Sequence, residues 1–203
     1  IYTTGVYVVQ WTYTDSDGNT SQQNQLIEVE DDTTPPELTC PTPAAMYGTN
    51  YPNCSATNIP GIALSEGMLG DFTPGTYADT CTTDPNFTIE YQVQDSSGAT
   101  IVARKNGNNA GQEVFPVGAN TVTYYVTDEA NNESSCSFTV MVMDDDAPDL
   151  SVDPDITVQC DNVPIAPLGA ANDNCDGLFV PQFMEDSIPG SCTNEYTLRR
   201  TWT

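Results

Sequence analysis

The sequence contains no histidine, and only four basic residues stand against 29 acidic ones in 203 residues. Without histidine, Ser-His-Asp and Cys-His catalysis lack their base. The formal charge of −25 argues against a nucleic-acid partner, because phosphates are bound by Lys and Arg that displace counterions. It disfavours an anionic membrane surface for the same reason. No apolar run approaches the ~18 residues of a membrane span, so no membrane insertion is expected. Glycine-rich phosphate loops and dinucleotide fingerprints are missing, and no CxxC pair occurs among the seven cysteines. With no histidine either, a zinc site does not suit them. The acids that a glycosidase could use concentrate in turns and joints, so the chain reads as non-catalytic. Its ends, at Ile1 and Thr203, fall inside apparent strands, and the sequence is expected to be a piece of a longer chain.

What is present is a repeat. "IEVEDDTTPPELTC" (Ile27 to Cys40) returns as "MVMDDDAPDLSV" (Met141 to Val152), with Asp32, Pro36 and Leu38 falling on Asp144, Pro148 and Leu150. A longer match precedes each stretch: "GVYVVQWTYTDSDGNTS" from Gly5 and "GANTVTYYVTDEANNES" from Gly118. In that register Val9, Trp11 and Tyr13 fall on Val122, Tyr124 and Val126. Alternate residues share one face of a strand. "TDSDGN" and "TDEANN" supply the Asp, Asn and Gly that tolerate the positive φ of a tight turn. A second alternating strand, with Cys136, Phe138, Val140 and Val142 on one face, closes each hairpin. The acid-then-proline stretch that follows reads as a joint between modules, stiffened where proline fixes φ.

The chain therefore divides into three: residues 1–32 as the last hairpin of one module, 33–145 as a complete module, and 146–203 as the truncated start of the next. A module of that size suits a β-sandwich. "YTLRRTWT" (Tyr196 to Thr203) resembles the strand around Trp11. Helical periodicity is nearly absent, so the expected fold is all-β: tandem Ig-like sandwiches in an extended rod.

"FPVGANTVTYYVTDEANNESSCSFTVMVMDDDAPDL" resembles the closing half of a HYR (hyalin repeat) domain, and "LTCP" at Leu38 to Pro41 resembles its opening. "YVVQWTYTDSDGNTSQQNQLIEVEDDTTPP" and "ITVQCDNVP…ANDNCDG…SCTNEYTLRRTWT" resemble variants repeated in giant surface proteins of Bacteroidota, gliding adhesins of flavobacteria among them. The central module's middle, Tyr47 to Ala110, matches poorly, and Gln23 stands where the central module has Cys136. The resemblance implies an extracellular or cell-surface location, adhesion, and a structural stalk or filament segment that contributes to gliding motility. The alternative class is a carbohydrate-binding module of an extracellular multidomain protein. Tyr2, Tyr7, Tyr47, Tyr51, Tyr77 and Tyr125 could stack on sugars, or equally fill strand faces.

Disulfides in an oxidising compartment fit the cysteines. Cys40, Cys54, Cys81 and Cys136 allow three pairings. First and last strands of a sandwich can lie close, which favours Cys40–Cys136 and leaves Cys54–Cys81; the family resemblance implies the same. Cys175–Cys192 would be the corresponding short bridge of the third part, with the partner of Cys160 beyond Thr203.

The acids raise calcium as a cofactor. Glu30, Asp31, Asp32, Asp15 and Asp17 are grouped with the first joint, and Asp128, Asp144, Asp145, Asp146 and Asp149 with the second. Calcium takes six to eight oxygens, and acids at a boundary can supply them while fixing the angle between modules. Solvated edge acids that deter aggregation explain the same residues. "DNCDG" (Asp173 to Gly177) has ligand-like residues and also suits a turn. "DTT" at Asp32 and "DSI" at Asp186 resemble an O-glycosylation pattern of the Bacteroidota, on Thr33 and Ser187. Asn19, Asn53, Asn86 and Asn132 match the N-linked pattern. Expected partners are neighbouring modules of the same chain, surface polysaccharide, or other copies of the chain.

Overall fold

The structure, a computed structural model, describes residues 3–70, 73–191 and 194–203. It is all-β apart from one turn of 3₁₀ helix at Ala110–Gln112. The chain opens with a two-stranded antiparallel hairpin, β1 (Gly5–Thr14) and β2 (Thr20–Val29). Its turn is organised by Asp15, whose Oδ1 accepts from the Asn19 backbone N–H at 2.8 Å and whose Oδ2 accepts from Asn19 Nδ2 at 2.9 Å. Gly18 takes the left-handed position, at φ 88°. Trp11 shares a face with Val9 and Tyr13, but on a two-stranded sheet it stays 63% exposed.

Next come β3 (Glu37–Thr39), β4 (Tyr47–Gly48), β5 (Ser55–Ala56), β6 (Ser65–Glu66), β7 (Thr76–Ala78), β8 (Thr88–Gln94), β9 (Thr100–Asn106), β10 (Phe115–Pro116), β11 (Gly118–Thr127) and β12 (Glu133–Met143). They make a sandwich. One sheet has the order β4-β12-β11-β8-β9; opposite it lie β3-β7-β6 and the short pair β10-β5. Strict alternation on β11 puts Val122, Tyr124 and Val126 at zero exposure, against Leu64, Tyr77 and Phe115 from across the core. This is the hydrophobic-in, polar-out pattern of an antiparallel sheet. Tyr124 would leave a polar oxygen in that core, and the fold satisfies it: the hydroxyl donates to the Ile62 carbonyl at 2.8 Å and accepts from the Ala110 N–H at 2.8 Å. Burial pushes its phenol up to about 12.

The β11–β12 turn repeats the Asp–Asn bonds of the β1–β2 turn. Asp128 Oδ1 accepts from the Asn132 N–H at 2.8 Å, Oδ2 accepts from Asn132 Nδ2 at 2.9 Å, and Asn131 takes the left-handed position at φ 70°. Gly or Asn fits there because other side chains crowd the following carbonyl. The ladders share one register too: Trp11 faces Gln23 as Tyr124 faces Cys136. Cys136 is bonded to Cys40, beside β3, so the disulfide closes the first strand onto the last across the core, with Cα atoms 5.7 Å apart.

The third part holds a three-stranded sheet, β13 (Asp149–Ser151), β14 (Ala170–Asp173) and β15 (Gly177–Phe179), and a hairpin of β16 (Phe183–Pro189) and β17 (Tyr196–Trp202). Among the described residues no helix is long and apolar enough to cross a membrane.

Candidate functional site: the joints at the two poles of the sandwich

An antiparallel hairpin sends its turn to the opposite end from its entry and exit. The β12 strand leaves the Asp128 turn beside the first acid-proline stretch and delivers Asp144 to the second, roughly 35 Å away at about 3.3 Å per residue. The sandwich therefore has two poles, and each carries a joint.

At the first joint Asn132 Nδ2 donates to the Asp32 carbonyl at 3.2 Å while holding the Asp128 carboxylate, and Ser134 Oγ donates to the Pro36 carbonyl at 2.6 Å. Asp32 Oδ1 accepts from the Thr34 N–H at 3.0 Å. Asp32, Asp79 and Cys81 bring one ligand atom each to within 4.8 Å of one another. Asp79 Oδ1 accepts from the N–H groups of Cys81 and Thr82 at 2.8 and 2.9 Å.

At the second joint β4 pairs in parallel with the end of β12, matching Tyr47 with Val142 and Gly48 with Met143. The chain after Gly48 is thereby held against the acids. A Cβ at Gly48 would collide with the Asp145 carboxylate, whose Oδ1 accepts from the Thr49 N–H at 3.1 Å. Asp146 Oδ2 accepts from Thr49 Oγ1 and from Asn174 Nδ2, both at 2.9 Å. Asn174 Nδ2 also donates to the Asn53 carbonyl at 3.3 Å. Cys54, next in sequence, is bonded to Cys175, with Cα atoms 4.7 Å apart. The joint is thus closed by a covalent bond and a hydrogen-bonded patch between the central sandwich and the third part.

Three expectations need correction. Cys54 is not bonded to Cys81: the two lie at opposite poles, far beyond the 4.4–6.8 Å Cα separation a disulfide requires, and Cys81 is a free, exposed thiol. Cys175 is bonded to Cys54, so the expected Cys175–Cys192 bridge does not form; Cys192 lies outside the described residues. The grouping of acids by joint also changes. Asp15 and Asp17 sit at the far end of the β1–β2 ladder from Asp31 and Asp32, because Gly5 pairs with Val29 and Thr14 with Thr20. Asp128 belongs with the first joint, through Asn132, and not with Asp144. Sequence proximity to a joint stood in for spatial proximity, and hairpins invert that relation. Two contributors were missed, Asp79 and Thr49. The Asp-x-Cys spelling shared by Asp79-Thr80-Cys81 and Asp173-Asn174-Cys175 was the signal for the first.

Electrostatics single the joints out. Arg104 pairs with Glu90 and Glu133, Lys105 with Glu113, Arg199 with Asp186 and Arg200 with Glu185. All four cations thus pair with acids other than the joint aspartates, Glu133 at the first pole included. Two oxygens buried there, Asp32 Oδ2 and Asn174 Oδ1, have no hydrogen-bond partner. Hard, unpartnered oxygens beside uncompensated carboxylates suit a hard cation such as calcium.

Other candidates scatter. Tyr77 is buried, Tyr47 accepts from the Ala44 N–H at 2.9 Å, and Tyr125 lies under Arg104, 3.9 Å from guanidinium to ring centroid. Tyr51 is 71% exposed, Tyr7 lies on β1, and Tyr2 is outside the described residues. Among the described residues these tyrosines form no common platform. Thr33 is exposed in the first joint and Ser187 on β16; Asn19, Asn53 and Asn86 are exposed, while Asn132 is engaged as described.

Residues 76–142, from the start of β7 to the penultimate residue of β12, match the HYR domain family. The chain is also 30% identical over 147 residues to Hyalin of Lytechinus variegatus, an alignment covering 72% of this chain and 22% of that protein. The chain thus spans about a fifth of the relative it matches. No solved structure matches it. The family match thus puts a HYR domain at residues 76–142, inside the sandwich.

Proposed function

We propose that this chain is a non-catalytic stalk segment of a very large secreted or cell-surface adhesin, in which successive sandwiches are locked end to end. The observation that carries the reading is the second joint, where Cys54–Cys175 and the Thr49–Asp146–Asn174 patch fasten one sandwich to the next part of the chain. A protein that only presents a sugar site has no need of covalent closure at its pole, whereas a strut transmits force through it. The repeat of HYR-type hairpins and the "DTTPP" style of joint support a place among giant surface adhesins of the Bacteroidota type, with a role in gliding.

Calcium is the proposed cofactor, held at the joints by Asp144, Asp146 and Asp173 with Asn174, and by Asp32 and Asp79. The unpartnered oxygens of Asn174 and Asp32 support that assignment. Bound there, the ion would neutralise the carboxylates and stiffen the angle between modules.

Solution scattering of the oxidised chain tests the strut. A compact 203-residue globule has a radius of gyration of about 17 Å; the strut requires a clearly larger value, and the calcium assignment requires a stiffer particle with a higher melting temperature in calcium than in chelator. A radius near the globular value would sink the stalk. An elongated particle indifferent to calcium would retain the stalk and reduce the acids to solubility.

A further inference from the structure

We infer that the corner formed by Asp32, Asp79 and Cys81 is the receiving half of a second inter-module disulfide. Its other half is a cysteine carried, like Cys54, on the β4–β5 loop of another module of the same kind. A free cysteine alone carries little weight. Here the same corner occurs twice, and one of the two is already bonded.

Strand pairing establishes the equivalence. β3 pairs with β7 through Leu38 opposite Tyr77; β13 pairs with β14 through Leu150 opposite Ala171. Counting on from those partners, Asp79 falls on Asp173 and Cys81 on Cys175. The hydrogen bonds of the two corners match as well. Asp79 Oδ1 accepts from the N–H groups of Cys81 and Thr82 at 2.8 and 2.9 Å, and Asp173 Oδ1 accepts from those of Cys175 and Asp176 at 2.8 and 2.9 Å. The joint aspartates match as well: Asp32 Oδ1 accepts from the Thr34 N–H at 3.0 Å, and Asp144 Oδ1 from the Asp146 N–H at 3.2 Å. Asp32, Asp79 and Cys81 cluster as Asp144, Asp173 and Cys175 do. At the sulfur the two corners differ: Cys175 is bonded to Cys54 across the joint, while Cys81 is an exposed thiol.

The partner's approach follows from the hairpins. The Cys54 loop reaches the second joint because β4 pairs with the last two residues of the β12 ladder. β2 enters the first joint from a hairpin of the same register as that of β12, with one more residue between Val29 and Asp32 than between Val142 and Asp144. A module ending in β1–β2 therefore hangs its own β4–β5 loop over Cys81. A thiolate–metal site does not explain the corner, since its twin uses the sulfur in a disulfide. The bond forms when the two thiols lose two protons and two electrons to a disulfide oxidant such as oxidised glutathione, which leaves as two glutathione thiols.

The test is a tandem duplication that keeps the whole chain: residues 1–144 followed directly by 33–203, which preserves the Asp-to-Pro-to-Leu spacing at the new joint. Asn53→Gln and Thr83→Ser in the first copy mark its peptides by mass. After oxidation with glutathione, alkylation and non-reducing peptide mapping, the first copy's Cys54 is expected bonded to the second copy's Cys81. Alkylation of that Cys81 should fall at least tenfold below that of its counterpart in the 203-residue chain. Equal alkylation of both Cys81 residues would overturn the inference. Cys175→Ser in the 203-residue chain gives a second reading that needs no duplication. Released Cys54 and Cys81 should both alkylate, and a bond between them within one chain would overturn the inference equally. The mapping reads the bond whatever the particle's shape, so its failure is distinct from failure of the strut.

Discussion

Asn132 donates to the backbone carbonyl of Asp32, a residue one hundred positions earlier, at 3.2 Å. The side chain that shapes the β11–β12 turn thereby also anchors the entry to the sandwich. Replacing it with alanine keeps the backbone N–H bond to Asp128 but removes both side-chain bonds, to Asp128 Oδ2 and to the Asp32 carbonyl, at an expected cost of about 2 kcal/mol. Asn132→Asp should cost more, because a carboxylate cannot donate and would face Asp128. Urea midpoints for the two variants check the order.

Tyr124→Phe keeps the ring and removes the hydroxyl that bridges the Ile62 carbonyl and the Ala110 N–H. Both backbone groups are then left unmatched in the core, which costs roughly 1–3 kcal/mol. Denaturant unfolding should show a lower midpoint with an unchanged slope.

Cys40→Ser opens a loop with a sequence separation of 96. Chain entropy puts the loss at about 4.7 kcal/mol, equivalent to a fall of roughly 20–35 °C in the melting temperature of a domain this size. Cys136→Ser should match it. Cys81→Ser, at a free thiol, should leave the same melting temperature unchanged.

The ion pairs of the β8–β9 edge set a pH response. The Lys105 ammonium, with the Tyr91 hydroxyl, holds the Glu113 carboxyl below its ordinary 4.5, and Arg104 does the same for Glu133. A depressed carboxylate stabilises fully above the unfolded value and loses that contribution as pH falls through the lower folded one. Stability should therefore decline below about pH 4.5. Glu113→Gln should flatten that acid limb in melts between pH 3 and 7.

Cys54→Ser with Cys175→Ser severs the covalent link but leaves the Asp146 contacts to Thr49 and Asn174. The core of the central sandwich should keep its amide protection. Exchange in the 49–54 loop and around Asn174 should accelerate by an order of magnitude or more, since local opening no longer has to carry the third part along.

The hairpins were legible because their determinants are local. Period-two alternation names the buried face, and Asp with a Gly or Asn three residues on names the turn. Those two rules placed Trp11 over Tyr124 and Gln23 over Cys136. Cys54 was not legible, because its partner depends on which pole the β4–β5 loop reaches. That is set by two parallel-paired residues, Tyr47 and Gly48, with no pattern of their own. The segments between β3 and β7 and between β13 and β14 also differ in length, so Cys81 and Cys175 fall out of the register that aligns Asp32 with Asp144. Strand pairing restores the match; linear spacing hides it.

The Cys54–Cys175 bond has a consequence for extension under tension. Its sequence separation is 121, and that length of polypeptide, roughly 400 Å when drawn out, lies off the shortest covalent path between the ends. A pull on the termini crosses from Cys54 to Cys175 directly, so even complete unfolding of the sandwich would not release that hidden length. Reduction would. The segment behaves as a short tether when oxidised and a long one when reduced, and the chemistry of its surroundings sets how far it can give.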